Sequence, residues 1–354
     1  MRVAVYYGDH DVRIESRPKP ERGNGEALLR VLRTGICGTD ATEWRSGPHL
    51  FASRETPHPV TGHAGPIIFG HEFIGTVVEV GEGSAFAVGG NVASGAGVSC
   101  GECPRCREGR TNLCWNYKTL GLNVDGGMAE YVSVPEKTLA IIPAGLDIDV
   151  AGLAQPLAVA LHAARRSLVT DGDRVVLIGA GSIGTFVLAA VLSLARAEVT
   201  VVDFAGSRLE RAQRVGATRV IPTGEKVVED VLDAVGSHGA DIVIEASGAP
   251  GQLANAIGMV RAGGTILQVG LAAGPPEVDM HSLVIREVTI RTTNAHVFAE
   301  DLAPALELLA SSGIGKEMLD SVRPLEDVAE QLERLAEGKV EGKVLFNPSL
   351  SAAS

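Results

Sequence analysis

The spacing of apolar and polar positions divides the chain into two kinds of territory. Before about residue 150 the apolar runs are short and broken by glycine and proline. Arg2–Tyr7, Ala27–Thr34, Gly75–Val80 and Tyr131–Pro135 read as β-strands flanked by turn residues. Little helical periodicity occurs before Val150, so this portion is expected to be an irregular β-barrel. Beyond Gln155-Pro156 the rhythm changes. Leu157–Leu168 carries a helical pattern ending near Asp171-Gly172. The apolar strand Arg174–Ile178 follows, and a glycine loop leads into a long apolar helix from about Ser182 to Ala195. Strands Glu198–Val202, Arg219–Ile221, Ile242–Glu245 and Thr265–Val269 then alternate with helices Ser207–Val215, Val227–Val235 and Gln252–Met259. Short joins between alternating strands and helices predict an α/β fold with a parallel, doubly wound sheet. After roughly Asn294 the pattern gives helices Asp301–Ser311 and Leu325–Ala336 and a terminal strand, Lys343–Phe346.

At 354 residues the chain exceeds one ordinary core and suits two domains. Hydrophobic residues make up 45% and charged residues 21%, a globular balance. The net charge of −12 argues against gripping a phosphate backbone, so no nucleic-acid partner is expected. The longest apolar stretch, around Phe186–Ala195, falls short of the ~20 residues that span a bilayer. Met1–Tyr6 lacks the long apolar core behind a basic start that marks a signal peptide. The expectation is a soluble, cytoplasmic protein with no membrane partner.

Val175–Ile178 runs directly into Gly179-Ala180-Gly181-Ser182-Ile183-Gly184, which opens a helix. This is G-x-G-x-x-G between strand and helix. The first glycine makes the turn, the second lets backbone N–H groups approach a pyrophosphate, and the third lets helix and strand pack closely. The helix N-terminus then stabilises the anion. The next strand ends in Asp203, nineteen residues after Gly184. A carboxylate there accepts from both ribose hydroxyls and repels a 2′-phosphate, which favours NAD over NADP. Arg208 nearby could instead support a phosphate and keeps NADP open. A glycine-rich turn in a domain that binds nothing is the plainer alternative, and strand, helix and acid together weigh against it.

Four of the five cysteines, Cys100, Cys103, Cys106 and Cys114, lie within fifteen residues as C-x2-C-x2-C-x7-C. Neighbours that close make a poor disulfide framework and a good metal knot. Zinc prefers such a tetrahedral thiolate set, which leaves no open position for substrate and is therefore structural. An iron–sulfur cluster also uses four cysteines, and free thiols remain a further alternative. The fifth, Cys37, stands apart in Gly35-Ile36-Cys37-Gly38-Thr39-Asp40, and His71 and Glu72 follow in Gly70-His71-Glu72-Phe73-Ile74-Gly75. One thiolate and one imidazole, plus a carboxylate or water, make the incomplete shell of a catalytic zinc. Taken singly, Cys37 suits a buried small residue and His71 a satisfied core histidine. Their company, the knot and the dinucleotide loop, favours the metal.

With these motifs in order, the chain resembles the zinc-containing medium-chain dehydrogenase/reductase superfamily along essentially its whole length. Gly35–Asp40, Gly70–Gly75, Gly97–Cys114, Gly121–Tyr131, Ala154–Ala163 and Val175–Gly184 carry the resemblance. It looks most like the sorbitol, threonine and butanediol dehydrogenase branch, and the approach Thr56–Phe69 resembles the corresponding loop of butanediol dehydrogenases. The resemblance implies a GroES-like catalytic domain, 1–156 with 295–354, and a Rossmann NAD-binding domain, 157–294. It implies Cys37 and His71 as ligands of a catalytic zinc, with Glu72 in or beside the shell. Asp40 would hydrogen-bond and orient His71, and Thr39 would accept the substrate hydroxyl proton. Asn294 would lie near the nicotinamide, and Ser182, Ile183 and Val269 belong to the expected cofactor contacts. Two zinc ions per chain, a small alcohol or ketone substrate and a homodimer or homotetramer follow.

The chain departs from the family pattern at two places of chemical weight. Gln155-Pro156 stands where the polyol branch usually has Glu-Pro, so a neutral carbonyl oxygen would face the metal. Thr42 stands where alcohol dehydrogenases often end the proton relay with histidine. The function implied is hydride transfer between NAD and a secondary alcohol, which could be a diol, polyol, sugar or cyclitol. A simple primary or secondary alcohol dehydrogenase is the enzymatic alternative, and a nucleotide-binding scaffold without catalysis is the alternative of another class.

Overall fold

The computed structural model describes residues 1–272 and 274–350. The chain divides into two compact units, Met1–Gln155 with Val297–Ser354, and Pro156–His296. The first unit opens with β1 (Arg2–Gly8), β2 (Asp11–Ser16), β3 (Glu26–Gly35), α1 (Gly38–Ser46), β4 (Ile67–Ile68), β5 (Glu72–Glu79), β6 (Asn91–Ser94) and β7 (Gly97–Val98). It continues through α2 (Pro104–Arg107), β8 (Lys118–Thr119), β9 (Tyr131–Pro135), β10 (Leu139–Ile141) and α3 (Ile148–Ala151), and α4 (Ala154–Ser167) carries the chain into the second unit. The second unit holds β11 (Arg174–Ile178), α5 (Ser182–Leu194), β12 (Glu198–Asp203), α6 (Ser207–Val215), β13 (Arg219–Pro222), α7 (Val227–Val235) and β14 (Ala240–Glu245). Then come α8 (Gln252–Met259), β15 (Val260–Gln268), α9 (Met280–Ile285) and β16 (Thr289–Thr292). The chain returns to the first unit with α10 (Phe298–Ser311), α11 (Ile314–Met318), β17 (Leu319–Arg323), α12 (Val328–Ala336) and β18 (Lys343–Phe346).

In the first unit a sheet of order β10-β6-β5-β3-β18-β17, with β9 also paired to β3, sits beside a smaller sheet, β2-β1-β4. Alternation along the strands sets the core. Ala27, Leu29 and Val31 of β3 meet Phe73 and Val77 of β5 and Val132 and Val134 of β9. Register fixes what gathers at one rim. Gly35, at the end of β3, pairs with Glu72 at the start of β5 and with Leu345 of β18. The start of β5, the start of β18 and the residues just after β3 are thereby brought together.

The second unit is a six-stranded parallel sheet of order β13-β12-β11-β14-β15-β16. The order reverses between β11 and β14, the point at which doubly wound sheets open a crevice. Val176, Ile178, Val202, Val243 and Ile266 are buried against helical residues such as Val231, Ala256 and Ile257. Strands buried on both faces read as unbroken apolar runs, and β11 and β14 do.

Several elements depart from the sequence reading. The nine-residue α1 falls in territory expected to be without helices, and its sequence is mostly polar. A capping box holds it instead of an apolar stripe: Thr39 N donates to Cys37 Sγ at 3.2 Å, and Cys37 N donates to Asp40 Oδ2 at 2.9 Å. The expected helix Leu325–Ala336 is a 3-10 turn, Leu325–Asp327, followed by α12. Helix α4 starts at Ala154, ahead of the expected Leu157, because Pro156 is tolerated in a first turn. Gln155 thus lies in that first turn. Among the described residues no helix is long and apolar enough to cross a membrane.

Candidate functional site

The rim where β3, β5 and β18 meet carries the chemistry of the first unit. Cys37 leaves β3 as the N-cap of α1, so its thiol is aimed by the helix start. His71 and Glu72 sit at the entrance to β5, 8% and 2% exposed. Cys37 Sγ lies 3.1 Å from His71 Nε2. One ligating atom each from Cys37, His71 and Glu72 lies within 4.8 Å of the others. Behind the ring, His71 Nδ1 faces Asp40 Oδ1 at 3.6 Å, beyond a direct hydrogen bond. Asp40 is itself fixed by the Cys37 N–H, so the residue that caps the helix also stands behind the imidazole.

Burial opposes a charge on His71, but the Cys37 sulfur and the Asp40 and Glu72 carboxyls outweigh it and push its pKa up to about 10. A pocket this anionic favours a cation, whether a proton or a metal ion. Sulfur, imidazole and carboxylate are also the donor types zinc takes. Glu72 has a partner the sequence reading did not name. Lys343, at the start of β18 and 3% exposed, donates from Nζ to Glu72 Oε1 and to the carbonyl of Ile36, each at 2.7 Å. Glu72 Oε2 lies 2.5 Å from the same Nζ without hydrogen-bonding geometry and has no other hydrogen bond. A lysine heading a wholly buried strand needs a carboxylate, but the sequence alone does not say which one. Thr39 is half-buried on α1, and Thr42 is exposed and donates to Gly38 O at 2.9 Å. Gln155 is 9% exposed.

The knot is assembled as its spacing implies. Sulfur separations of 3.5 Å (Cys114–Cys100), 3.6 Å (Cys103–Cys106) and 4.0 Å (Cys100–Cys106) far exceed the ~2.05 Å of a disulfide. They bracket the edge of about 3.8 Å that four sulfurs make around zinc at a bond length of about 2.3 Å. Backbone N–H groups point at the sulfurs: Cys100 N and Asn116 N donate to Cys114 Sγ, and Cys103 N to Cys100 Sγ. Such donors favour thiolates. The N–H of Trp115 holds the Cys103 thiol below its ordinary value, and burial pushes that of Cys114 up.

In the second unit the glycine loop joins β11 to α5, whose N-cap is Gly181. Gly184 is obligatory: a Cβ there would lie 1.9 Å from the Gly179 carbonyl oxygen. Asp203 ends β12 and is 8% exposed. Its Oδ2 accepts from Ala180 N at 2.5 Å and its Oδ1 from Phe204 N at 2.6 Å, and Arg208 Nη1 stands 3.9 Å away. The buried Arg211 donates to Ala180 O at 3.2 Å, bracing the loop from the other side. Ser182 and Ile183 form the first turn of α5, Val269 follows β15, and Asn294 is exposed near the end of the unit.

The family model for the alcohol dehydrogenase GroES-like domain matches residues 23–144, and that for zinc-binding dehydrogenase matches residues 182–311. A sorbitol dehydrogenase of Bacillus subtilis is 30% identical over 99% of this chain and 98% of its own length. The chain belongs to the zinc-containing medium-chain dehydrogenase superfamily. An L-threonine 3-dehydrogenase of Shewanella loihica is 33% identical over 77% of the chain and 78% of that protein. The crystal structure of 2R,3R-butanediol dehydrogenase from Bacillus subtilis superposes with a TM-score of 0.89 at 29% identity, covering 98% of this chain and 99% of that one. As a member of this superfamily the chain is a zinc-dependent oxidoreductase of the alcohol and polyol dehydrogenase type, and the reading as a scaffold without catalysis finds no support. Further structural relatives at 25% and 29% identity hold NADH and NADP respectively.

Proposed function

We propose that this dehydrogenase transfers hydride between NAD and a secondary alcohol that bears a neighbouring hydroxyl, as in a diol, polyol, sugar or cyclitol. The observation that carries the reading is the convergence of half-buried Cys37 with buried His71 and Glu72 at one rim, with Asp40 behind the histidine. Cys37 and His71 would hold a catalytic zinc and the four-cysteine knot a second, structural one. Lys343 already engages Glu72 Oε1, so we assign the third protein ligand to the Gln155 carbonyl oxygen and keep Glu72 beside the metal. Zinc at this position supplies the charge that lowers an alcohol's pKa, and nicotinamide supplies the hydride acceptor. The Thr39 hydroxyl would accept a hydrogen bond from the substrate hydroxyl and relay the proton, releasing its own as the substrate's arrives. The exposed Thr42 cannot act as a base in histidine's place and leaves that proton to solvent. Asp40, 3.6 Å behind Nδ1, would draw that side of the His71 ring and so keep Nε2 turned toward Cys37 Sγ.

The substrate preference rests on the approach to His71. There Thr61 Oγ1 donates to Asn123 O at 2.9 Å, and the amides of His58 and Gly62 close a tight turn. The loop is thus polar and tied down, which suits a hydroxyl-rich ligand. NAD is favoured because Asp203 puts a carboxylate beside the glycine loop, and Arg208 is drawn to it rather than left for a 2′-phosphate. Asp203→Ala should narrow the preference of NAD over NADP. Val269 and Asn294 are assigned to the nicotinamide end. We assign a homo-oligomer to edge strand β16, with its exposed Ile290, and to the preceding α9, with exposed Met280, Val284 and Ile285, which would face a second copy. Light scattering should then give a multiple of 36.8 kDa.

NADH absorbance with a panel of alcohols tests the substrate class. Vicinal diols and polyols should give higher kcat/KM than simple primary alcohols of similar size. Faster turnover of ethanol or propanol than of every diol and polyol would contradict it.

A further inference from the structure

The second unit holds a wholly buried carboxylate to which the roles above give no part. Glu245 ends β14, paired with Ile178 of β11 on one side and Gln268 of β15 on the other. Its Oε1 accepts from Ser247 N at 2.8 Å, from the Ser247 hydroxyl and from Gly248 N at 3.0 Å. Its Oε2 accepts from Gln268 Nε2 at 2.5 Å and shares the Gly248 N–H at 3.1 Å. The same Gln268 Nε2 also reaches Gly270 O at 2.8 Å. The backbone carbonyl of Glu245 takes the N–H groups of Val269 and Gly270 at 2.7 and 2.9 Å. Every one of these partners is a neutral amide or hydroxyl. A buried anion held this way costs desolvation, so its presence points to a task in placing those donors.

The loops it ties are packed backbone to backbone. A Cβ on Gly270 would lie 2.1 Å from Gly248 N and 2.7 Å from Glu245 Oε2. One on Gly248, whose φ is +66°, would lie 2.5 Å from Leu271 O, and one on Gly179 would lie 2.9 Å from Ser247 N. The ends of β11, β14 and β15 therefore form one contiguous shelf, and Glu245 is the side chain that fixes its β14 and β15 portions to each other. A dinucleotide lies across such strand ends at the point of order reversal, with one half on each side. With the adenosine ribose assigned to Asp203 at the end of β12, the half beyond β11, over β14 and β15, would take the nicotinamide and its ribose.

We propose that Glu245 is a positioning residue that pre-forms the shelf for the nicotinamide half of the cofactor. The proposal rests on the NAD reading above. Without the carboxylate, the Ser247, Gly248 and Gln268 donors lose their common acceptor and the two loops part. Binding would then have to reorder them. The adenosine half, seated on β12 and the glycine loop, is untouched.

Calorimetric titration of the zinc-loaded full-length protein with NADH and with ADP, which lacks both the nicotinamide and its ribose, tests this. Glu245→Ala should weaken NADH about tenfold or more and leave ADP within about twofold. Gln268→Leu cuts only the link to the β15 loop and should weaken NADH about threefold, again sparing ADP. Glu245→Gln keeps an acceptor for Ser247 and Gly248 and should recover most of the affinity. Should Glu245→Ala not fold, Gln268→Leu decides. Equal losses for both ligands, or no loss of NADH affinity in a folded Glu245→Ala or Gln268→Leu, would overturn the proposal. If the unaltered protein binds neither ligand, the cofactor reading itself fails, an outcome plainly different from a loss confined to the variants.

Discussion

Glu72 and Lys343 are 2% and 3% exposed, and each depends on the other. Removing one member of a buried pair strands the remaining charge at a cost of about 3–5 kcal/mol. Lys343→Met should lower stability to urea by about that amount, and by more once zinc has been stripped, since the metal's charge also compensates Glu72. Unfolding within error of the unaltered protein would contradict the pairing. Gln155 is the second residue on which the site's electrostatics turn. A carboxylate there would neutralise more of the metal's charge, so Gln155→Glu should move the alkaline rise of the oxidation rate to higher pH and slow zinc loss to chelator. An unchanged pH–rate profile and unchanged chelator sensitivity would show that Gln155 points elsewhere. The sequence made Cys37 and His71 readable because each sits in a short motif of distinctive composition. It hid Lys343 because the lysine that completes the site lies 271 residues from its partner, and only the register of β3 with β5 and β18 brings them together.

Among the elements, β11, β12, β13 and β14 were readable to within two residues, since short apolar runs leave few alternatives, whereas β15 begins at Val260, five residues before the expected start. Helix α1 was not, because its stability comes from the Cys37–Asp40 capping box and from buried Glu43 and Trp44 rather than from an apolar stripe. Strand β16 and helix α9 were missed for a related reason: both are largely exposed and lack the apolar pattern that marks a buried element. Asp241 shows how strand ends are held. It accepts from Arg174 N at 2.8 Å and from Arg261 Nε at 2.6 Å, joining β11, β14 and β15 at their N-terminal edge. Burial alone would raise its pKa, but the Arg174 N–H and the two guanidiniums outweigh that and hold it below 3.8. A depressed carboxylate contributes stability above its unfolded pKa and loses it as pH falls through the lower folded value. Asp241→Asn should therefore cost about 1.5–3 kcal/mol near neutrality. The gap from the unaltered protein should narrow only as pH drops below about 4. Urea melts across that range check both the size and the direction.

At the scale of the whole molecule, one unit offers metal ligands and the other a dinucleotide loop. The account requires both in a single turnover, with the metal bound at Cys37 and His71 separate from the knot. The most direct measurement is the zinc content and NAD reduction of Cys37→Ser beside the unaltered protein, with NADH binding followed in both. The account predicts two zinc ions per chain in the unaltered protein and one, held by the knot, in the variant. The variant should bind NADH normally and reduce no NAD with any diol or polyol that the unaltered protein oxidises. A variant that keeps both zinc ions, or that turns over at the unaltered rate, would contradict it.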